Sequence, residues 1–295
     1  MVTRLATPEN SNSTANALSD NARSAFSALI RDESQRYVKQ FKATRAHPDS
    51  RAIHALRTAT RHVEALVILI AEIQRIPARH KIDRALRQPF DACGRVRDLQ
   101  LMSRTVRGCK NQYPEVTVLL RYLDRRLSRR RRQLSRQLAT AHPRGIKQTL
   151  CGVAAAIENS PSRSLRRSRG ADPLVRGLEK TRRAALTTLR KTIVADPHSL
   201  HRTRLALKSY RYQAELLRRA QPVTAAPNLR QLRRIQRSLG AITDRSTLLH
   251  TLGVFGRTHP RAARNLSRYR IRIERQRQKL IARHFDELLL HKQMP

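Results

Sequence analysis

Two stretches of this 295-residue chain carry histidine, arginine and lysine at helical spacing. The first holds His54, Arg57 and Arg61. The second holds His201, Arg204, Lys208 and Arg211, with Tyr212 and Glu215 beside them. At roughly 100° per residue, the six positions of the second stretch fall within an arc of about 100° on one helix face. The chemistry available is anion binding. Guanidinium forks and an ammonium match phosphate or carboxylate oxygens, and imidazole adds a donor whose charge depends on pH.

The stripes need helices to carry them. A helical pattern runs from about Leu18 to Arg45 and breaks at His47-Pro48-Asp49, where Asp49 or Ser50 can cap the next helix. That helix carries the first stripe, beside an apolar face of Ile53, Leu56, Val63, Leu66, Val67 and Ile70. A third helix from about Ala78 is expected to kink at Pro89 and to be interrupted by Gly94, then to continue to about Arg107. Pro114 opens a long helix through Leu138, whose arginines from Arg125 to Arg136 read as a solvated face. Residues 143–158 read as a short helix or connector, and 159–172 as a basic linker. In the second half Asp196-Pro197 starts the helix of the second stripe, Pro222 and Pro227 bracket a loop, and Gly240 is expected to interrupt a helix.

The landmarks recur in register. His54 and His201 are offset by 147 residues, while Gly94–Gly240 and Asp98–Asp244 are each offset by 146. A duplicated helical unit explains this. With no sustained period-2 alternation, the chain reads as all-α, as two bundles of about four helices each, with halves 18–158 and 173–290.

The formal net charge is +41, and 52 of the 62 basic residues are Arg. Such self-repulsion points to a polyanionic partner: nucleic acid, an anionic membrane or a phosphate polymer. Aromatics are 4% with no Trp, which leaves an aliphatic core and disfavours membrane-surface binding. Cys93, Cys109 and Cys151 have no C-x-x-C spacing, so neither a disulfide framework nor a zinc site is expected, and a reducing compartment fits. No apolar run spans a bilayer. Residues 1–17 have no signal-peptide core and read as a disordered tail, so the expected location is the cytoplasm.

Catalysis ranks below binding. The chain has no phosphate loop, dinucleotide fingerprint or nucleophile elbow, and its 21 acidic residues are scattered. No catalytic residue, metal ligand or cofactor is assigned. Nonspecific nucleic-acid binding through phosphates remains open, without visible base readers or stacking platforms. A base-free phosphate polymer needs only a continuous cationic path, which two facing stripes would form.

The H-x-x-R-x-x-x-[RK] helix, present twice, resembles that of the CHAD domain, the conserved histidine α-helical domain. The second copy is the closer match, with His201, Arg204, Lys208, Arg211, Tyr212 and Glu215 in the family's pattern. Gly94-x-x-Arg97-Asp98-Leu99 and Leu239-Gly240-x-x-x-Asp244 resemble its glycine-to-aspartate segments, and the similarity runs from about Leu18 to Leu290. The resemblance implies two four-helix bundles related by pseudo-twofold symmetry around a basic central groove or pore. It also implies binding of inorganic polyphosphate and association with polyphosphate granules. The E-x-E-x-K motif of an accompanying triphosphate-tunnel domain is absent, so the chain looks like a stand-alone member. The polyphosphate contacts it suggests are His54, Arg57, Arg61, His62, Arg97, His201, Arg204, Lys208, Arg211 and Tyr212. Two departures matter. The first copy has His62 and Glu64 where the family usually has another Arg after Arg61, with Glu64 on the stripe. Thr243 replaces a charged or amide residue common before the aspartate, so the second half is expected to be the stronger wall. Asp98 and Asp244 are expected to brace neighbouring arginines. The alternatives are a nonspecific nucleic-acid-binding protein and an accessory protein of polyphosphate metabolism.

Overall fold

Asp49 and Asp196 start the helices that bear the two stripes. The Asp49 carboxylate accepts the backbone N–H of Ala52 at 2.7 Å. Asp196 accepts those of His198 and Ser199 at 2.9 and 3.0 Å, with Pro197 at the first helical position. Each cap satisfies N–H groups that a helix start leaves without partners.

The computed structural model describes residues 20–160, 172–193, 196–221 and 228–292, with side chains to residue 283. The expected tail, most of the linker (161–171) and the loop at 222–227 lie outside the described residues. The chain is all-α. The first half holds α1 (Asp20–Ala46), α2 (Ser50–Ile70), α3 (Arg79–Arg107), α4 (Val116–Thr140) and α5 (Pro143–Glu158). The second holds α6 (Pro173–Arg190), α7 (Pro197–Ala220), α8 (Leu229–Thr258), α9 (Pro260–Asn265) and α10 (Ser267–Lys292).

Three features differ from the sequence reading. Residues 143–158 form a full helix, because Ile146, Leu150, Val153, Ala154 and Ile157 make one buried stripe that packs on α1. Among the described residues each half has five helical segments where about four were expected, the first by counting α5 and the second by counting the six-residue α9. Helix α3 also runs unbroken through Pro89 and Gly94, and α8 through Gly240. Neither glycine has a positive φ. Buried Leu86, Cys93, Val96 and Leu99 hold α3 in phase, so packing overrides the weak local propensity.

Both apolar clusters draw on both halves. The larger packs α1, α2, the N-terminal part of α3, the end of α4, α5, α6 and α7 with the N-terminal part of α8. The smaller joins the end of α3 and the start of α4 to α8 and α10 through Leu119, Leu123, Phe255 and Tyr269. Buried Glu33 on α1 accepts from His62 Nδ1 of α2 at 2.9 Å and also pairs with Arg219 of α7. Burial opposes ionisation of Glu33, but the bonds from His62 and Arg219 outweigh it and hold the carboxyl at about 2. Helices α2 and α7 pack against each other, which brings the two stripes together.

Candidate anion-binding site

A cavity of about 340 Å³ opens between α2, α3, α7 and α8. Helix α2 contributes His54, Arg57, Thr58 and Arg61, which are one helix face at i, i+3, i+4 and i+7. Helix α7 contributes His201, Arg204, Lys208 and Tyr212. Between them α3 adds Phe90, Arg97 and Asp98, and α8 adds Thr243, Asp244 and Arg245. A second cavity shares Arg61, Phe90, Lys208 and Tyr212 with the first. A third shares Arg204, Lys208, Asp244 and Arg245, and adds Arg211, Arg230, Arg233 and Arg237. Lys208 lines all three, so the cavities adjoin at its side chain.

The arginines of the first wall are braced. Phe90 lies beneath both Arg57 and Arg61, whose guanidinium carbons are 4.2 and 4.1 Å from the ring centroid. This is the geometry of a cation on an aromatic quadrupole. Arg57 also donates to the Phe90 carbonyl at 3.0 Å, and Arg97 to Ser50 Oγ at 2.6 Å. Gly94 permits the approach of Arg57, since a Cβ there would lie 2.7 Å from its Nη1.

The second wall is less saturated. Among the described residues the side chains of Arg204 and Lys208 make no hydrogen bond or ion pair, and the buried Nε atoms of Arg204 and Arg245 have no acceptor. Burial pushes the Lys208 amine down to about 7, and the neighbouring Arg204, Arg57, Arg61 and Arg211 add to the shift. Burial likewise lowers both histidines, aided by Arg97 and Arg57 at His54 and by Arg204 and Lys208 at His201. Asp98 and Asp244 open on the solvent in the cavity but are walled by protein on most sides. This partial burial raises both carboxyls against the pull of the cations. Neither carboxylate is within ion-pair distance of an arginine among the described residues, so their interaction with Arg57 and Arg204 is through space.

Eight of the ten residues singled out from the sequence line the first cavity: His54, Arg57, Arg61, Arg97, His201, Arg204, Lys208 and Tyr212. Arg211 lines the adjoining cavity, lies over the Tyr212 ring at 4.3 Å and pairs with Glu215 at 3.1 Å. His62 is turned away from the cavities. Its ring faces Glu33 and meets the edge of Tyr212 at 5.3 Å between centroids, because it lies a full 100° round the helix from Arg61. Glu64 pairs with Arg61 at 2.7 Å, which removes it as an isolated repulsive charge.

Phe90, Arg245 and the α8 arginines also line the cavities and were not singled out from the sequence. Arg230, Arg233 and Arg237 do recur at i, i+3 and i+7, a periodicity that marks one face of α8.

The family model of the CHAD domain matches residues 28–253. The chain belongs to the CHAD family. As a CHAD protein it shares its fold with two solved structures. The first is the CHAD domain from the plant Ricinus communis, at 16% identity and a TM-score of 0.67, covering 98% of this chain and 97% of that one. The second is PptA from Streptomyces chartreusis, at 12% identity and a TM-score of 0.66, covering 94% of this chain and 100% of that one. No match was found among curated protein sequences. Among the described residues of this CHAD protein, no helix is long and apolar enough to cross a membrane.

Proposed function

We propose that this CHAD protein binds inorganic polyphosphate without turning it over. The polymer would lie in a basic groove formed where the α2 and α7 stripes meet across the pseudo-twofold axis of an internal duplication. The observation that carries this reading is Lys208. It lies in the field of Arg57, Arg61, Arg204 and Arg211, and among the described residues no carboxylate is within ion-pair distance of it, Asp244 acting only through space. Clustered, desolvated cations destabilise a fold unless an anion offsets them. A linear phosphate chain would supply such anions continuously through the three adjoining cavities. Arg57, Arg61, Arg204 and Lys208 would bind phosphate oxygens, and His54 and His201 would donate as neutral imidazoles at neutral pH. Asp98 and Asp244 would hold Arg57 and Arg204 in place by through-space attraction. The family membership supports a link to polyphosphate, and with it a place at polyphosphate granules in the cytoplasm.

The test is binding of long-chain polyphosphate at physiological salt by two triple variants. R204A/K208A/R211A should lose at least about tenfold in affinity, the equivalent of 1.4 kcal/mol. R129A/R130A/R131A on α4 should stay within threefold of the unaltered protein. Equal losses would mean that bulk charge does the binding and would end the proposal. Release of phosphate from polyphosphate, lost on removal of a cavity residue, would overturn its non-catalytic half.

A further inference from the structure

Helix α4 carries a second arrangement of arginines, remote from the cavities. Arg121, Arg125, Arg129, Arg132 and Arg136 are all exposed. They fall within an arc of about 80° and span roughly 22 Å of helix at 1.5 Å per residue. None of the five has an ion pair or side-chain hydrogen bond among the described residues. The nearby carboxylate, Asp124, lies off this face and pairs with Arg107 at 3.6 Å. The row also recurs. At the offset of 147 that relates His54 to His201, four of the five positions on α10 are again basic: Arg268, Arg272, Lys279 and Arg283. Leu119 and Leu123 of α4 and Tyr269 and Ile273 of α10 belong to one apolar cluster, together with residues of α3 and α8.

We propose that the α4 row, extended by that on α10, is a separate docking face for the backbone of duplex nucleic acid. The α4 row offers five exposed guanidiniums along one face of a continuous helix, and Arg272 of the α10 row already lies over the Tyr113 ring at 5.3 Å. Duplex DNA or RNA offers two rows of phosphates on a broad cylinder, and sequence-independent binding needs only cations that meet them. No aromatic side chain lies on the α4 row, which disfavours single strands that bind by base stacking. An anionic membrane fits less well. The apolar faces of α4 and α10 are committed to the core, and the exposed large apolar side chains, Val118, Ile193, Leu205 and Ile271, lie on four different segments. A free polyphosphate chain would find deeper, more desolvated cations in the groove.

The experiment titrates a labelled duplex DNA oligonucleotide against four proteins from about 50 to 200 mM salt, a range over which phosphate contacts dominate affinity. They are the unaltered chain, R121Q/R125Q/R129Q/R132Q/R136Q, the groove variant R204A/K208A/R211A, and a charge-matched control, R45Q/R51Q/R84Q/R95Q/R257Q. The row variant should lose at least about 100-fold at 100 mM salt, with the slope of log K against log salt shallower by about 4. The groove variant and the control should each stay within about threefold, and the row variant should keep its polyphosphate affinity and its helical circular dichroism. Four outcomes would overturn the proposal: no DNA binding by the unaltered chain, equal loss in the control, loss through the groove variant, or loss of polyphosphate together with DNA in the row variant. Failure here leaves the polyphosphate reading standing, because that reading is decided by the groove variant with polyphosphate.

Discussion

Arg57 crosses the bare Cα of Gly94, so close that a Cβ would stand 2.7 Å from its Nη1. The corresponding pair in the second half is looser, with a Cβ at Gly240 lying 3.8 Å from Arg204 Nε. Both glycines are helical, where Ala is the better residue by about 1 kcal/mol. In G94A that gain should be offset by the lost Arg57 contacts to Phe90, so the melting temperature should rise little or fall, while displacement of Arg57 weakens polyphosphate binding about three- to tenfold. G240A, with an ordinary contact at 3.8 Å, should gain the full propensity difference and keep its affinity. Equal affinity losses in both would show that backbone stiffening, and not the arginine position, matters.

Lys208 makes binding depend on pH. Its amine, near 7 in the free protein, is half neutral at neutral pH, and a bound polyanion favours the ammonium. Affinity should rise as pH falls from 9 to 6, with net proton uptake on binding in calorimetry. K208M should abolish most of that uptake above pH 7, while His54 and His201 still contribute below it.

The same group bears on stability with a definite sign. Its folded pKa is depressed from 10.5 to about 7, so between those values the unfolded chain binds more protons and stability rises with pH. The destabilisation is complete below pH 7. K208M should accordingly be more stable than the unaltered protein by about 1–3 kcal/mol at pH 6, and the gap should close as pH approaches 10. A gap that is constant with pH would assign the effect to packing.

Glu33 behaves in the opposite sense. Its carboxyl is held at about 2 in the fold against an ordinary 4.5. The stability it contributes is present above pH 4.5 and lost as pH falls towards 2. E33Q should lower stability at pH 7 by about 3 kcal/mol, since it leaves the His62 and Arg219 contacts without their buried anion. It should also flatten the loss between pH 4.5 and 2, which chemical denaturation across that range would reveal.

Phe90 is the platform for Arg57 and Arg61. F90L keeps an apolar side chain of similar bulk and removes the aromatic face. Two half-exposed cation–aromatic contacts at about 0.5–1 kcal/mol each predict a loss of about five- to thirtyfold in polyphosphate affinity. The melting temperature should change little by comparison.

Much of this protein follows from local chemistry. The Asp49 and Asp196 caps, the phase of the His–Arg–Lys stripes and the all-α class rest on nearest-neighbour hydrogen bonding and the 3.6-residue period, which act within a few residues. Helical phase even puts Arg57 and Arg61 on one face, because i and i+4 must share it. Phase does not say what that face meets. His62 sits beside Arg61 in sequence, yet its position round the helix turns it towards Glu33, 29 residues earlier, and away from the cavity. Phe90 has the periodicity of a core residue and becomes a cation platform only because α3 lies against α2. Gly94 and Gly240 read as breaks, but buried neighbours carry α3 and α8 through them and leave their missing side chains as space near Arg57 and Arg204. Lys208 is an ordinary stripe lysine until α2, α7 and α8 surround it. Desolvation and the field of four arginines are sums over distant parts of the chain, and only the packed structure brings those parts together.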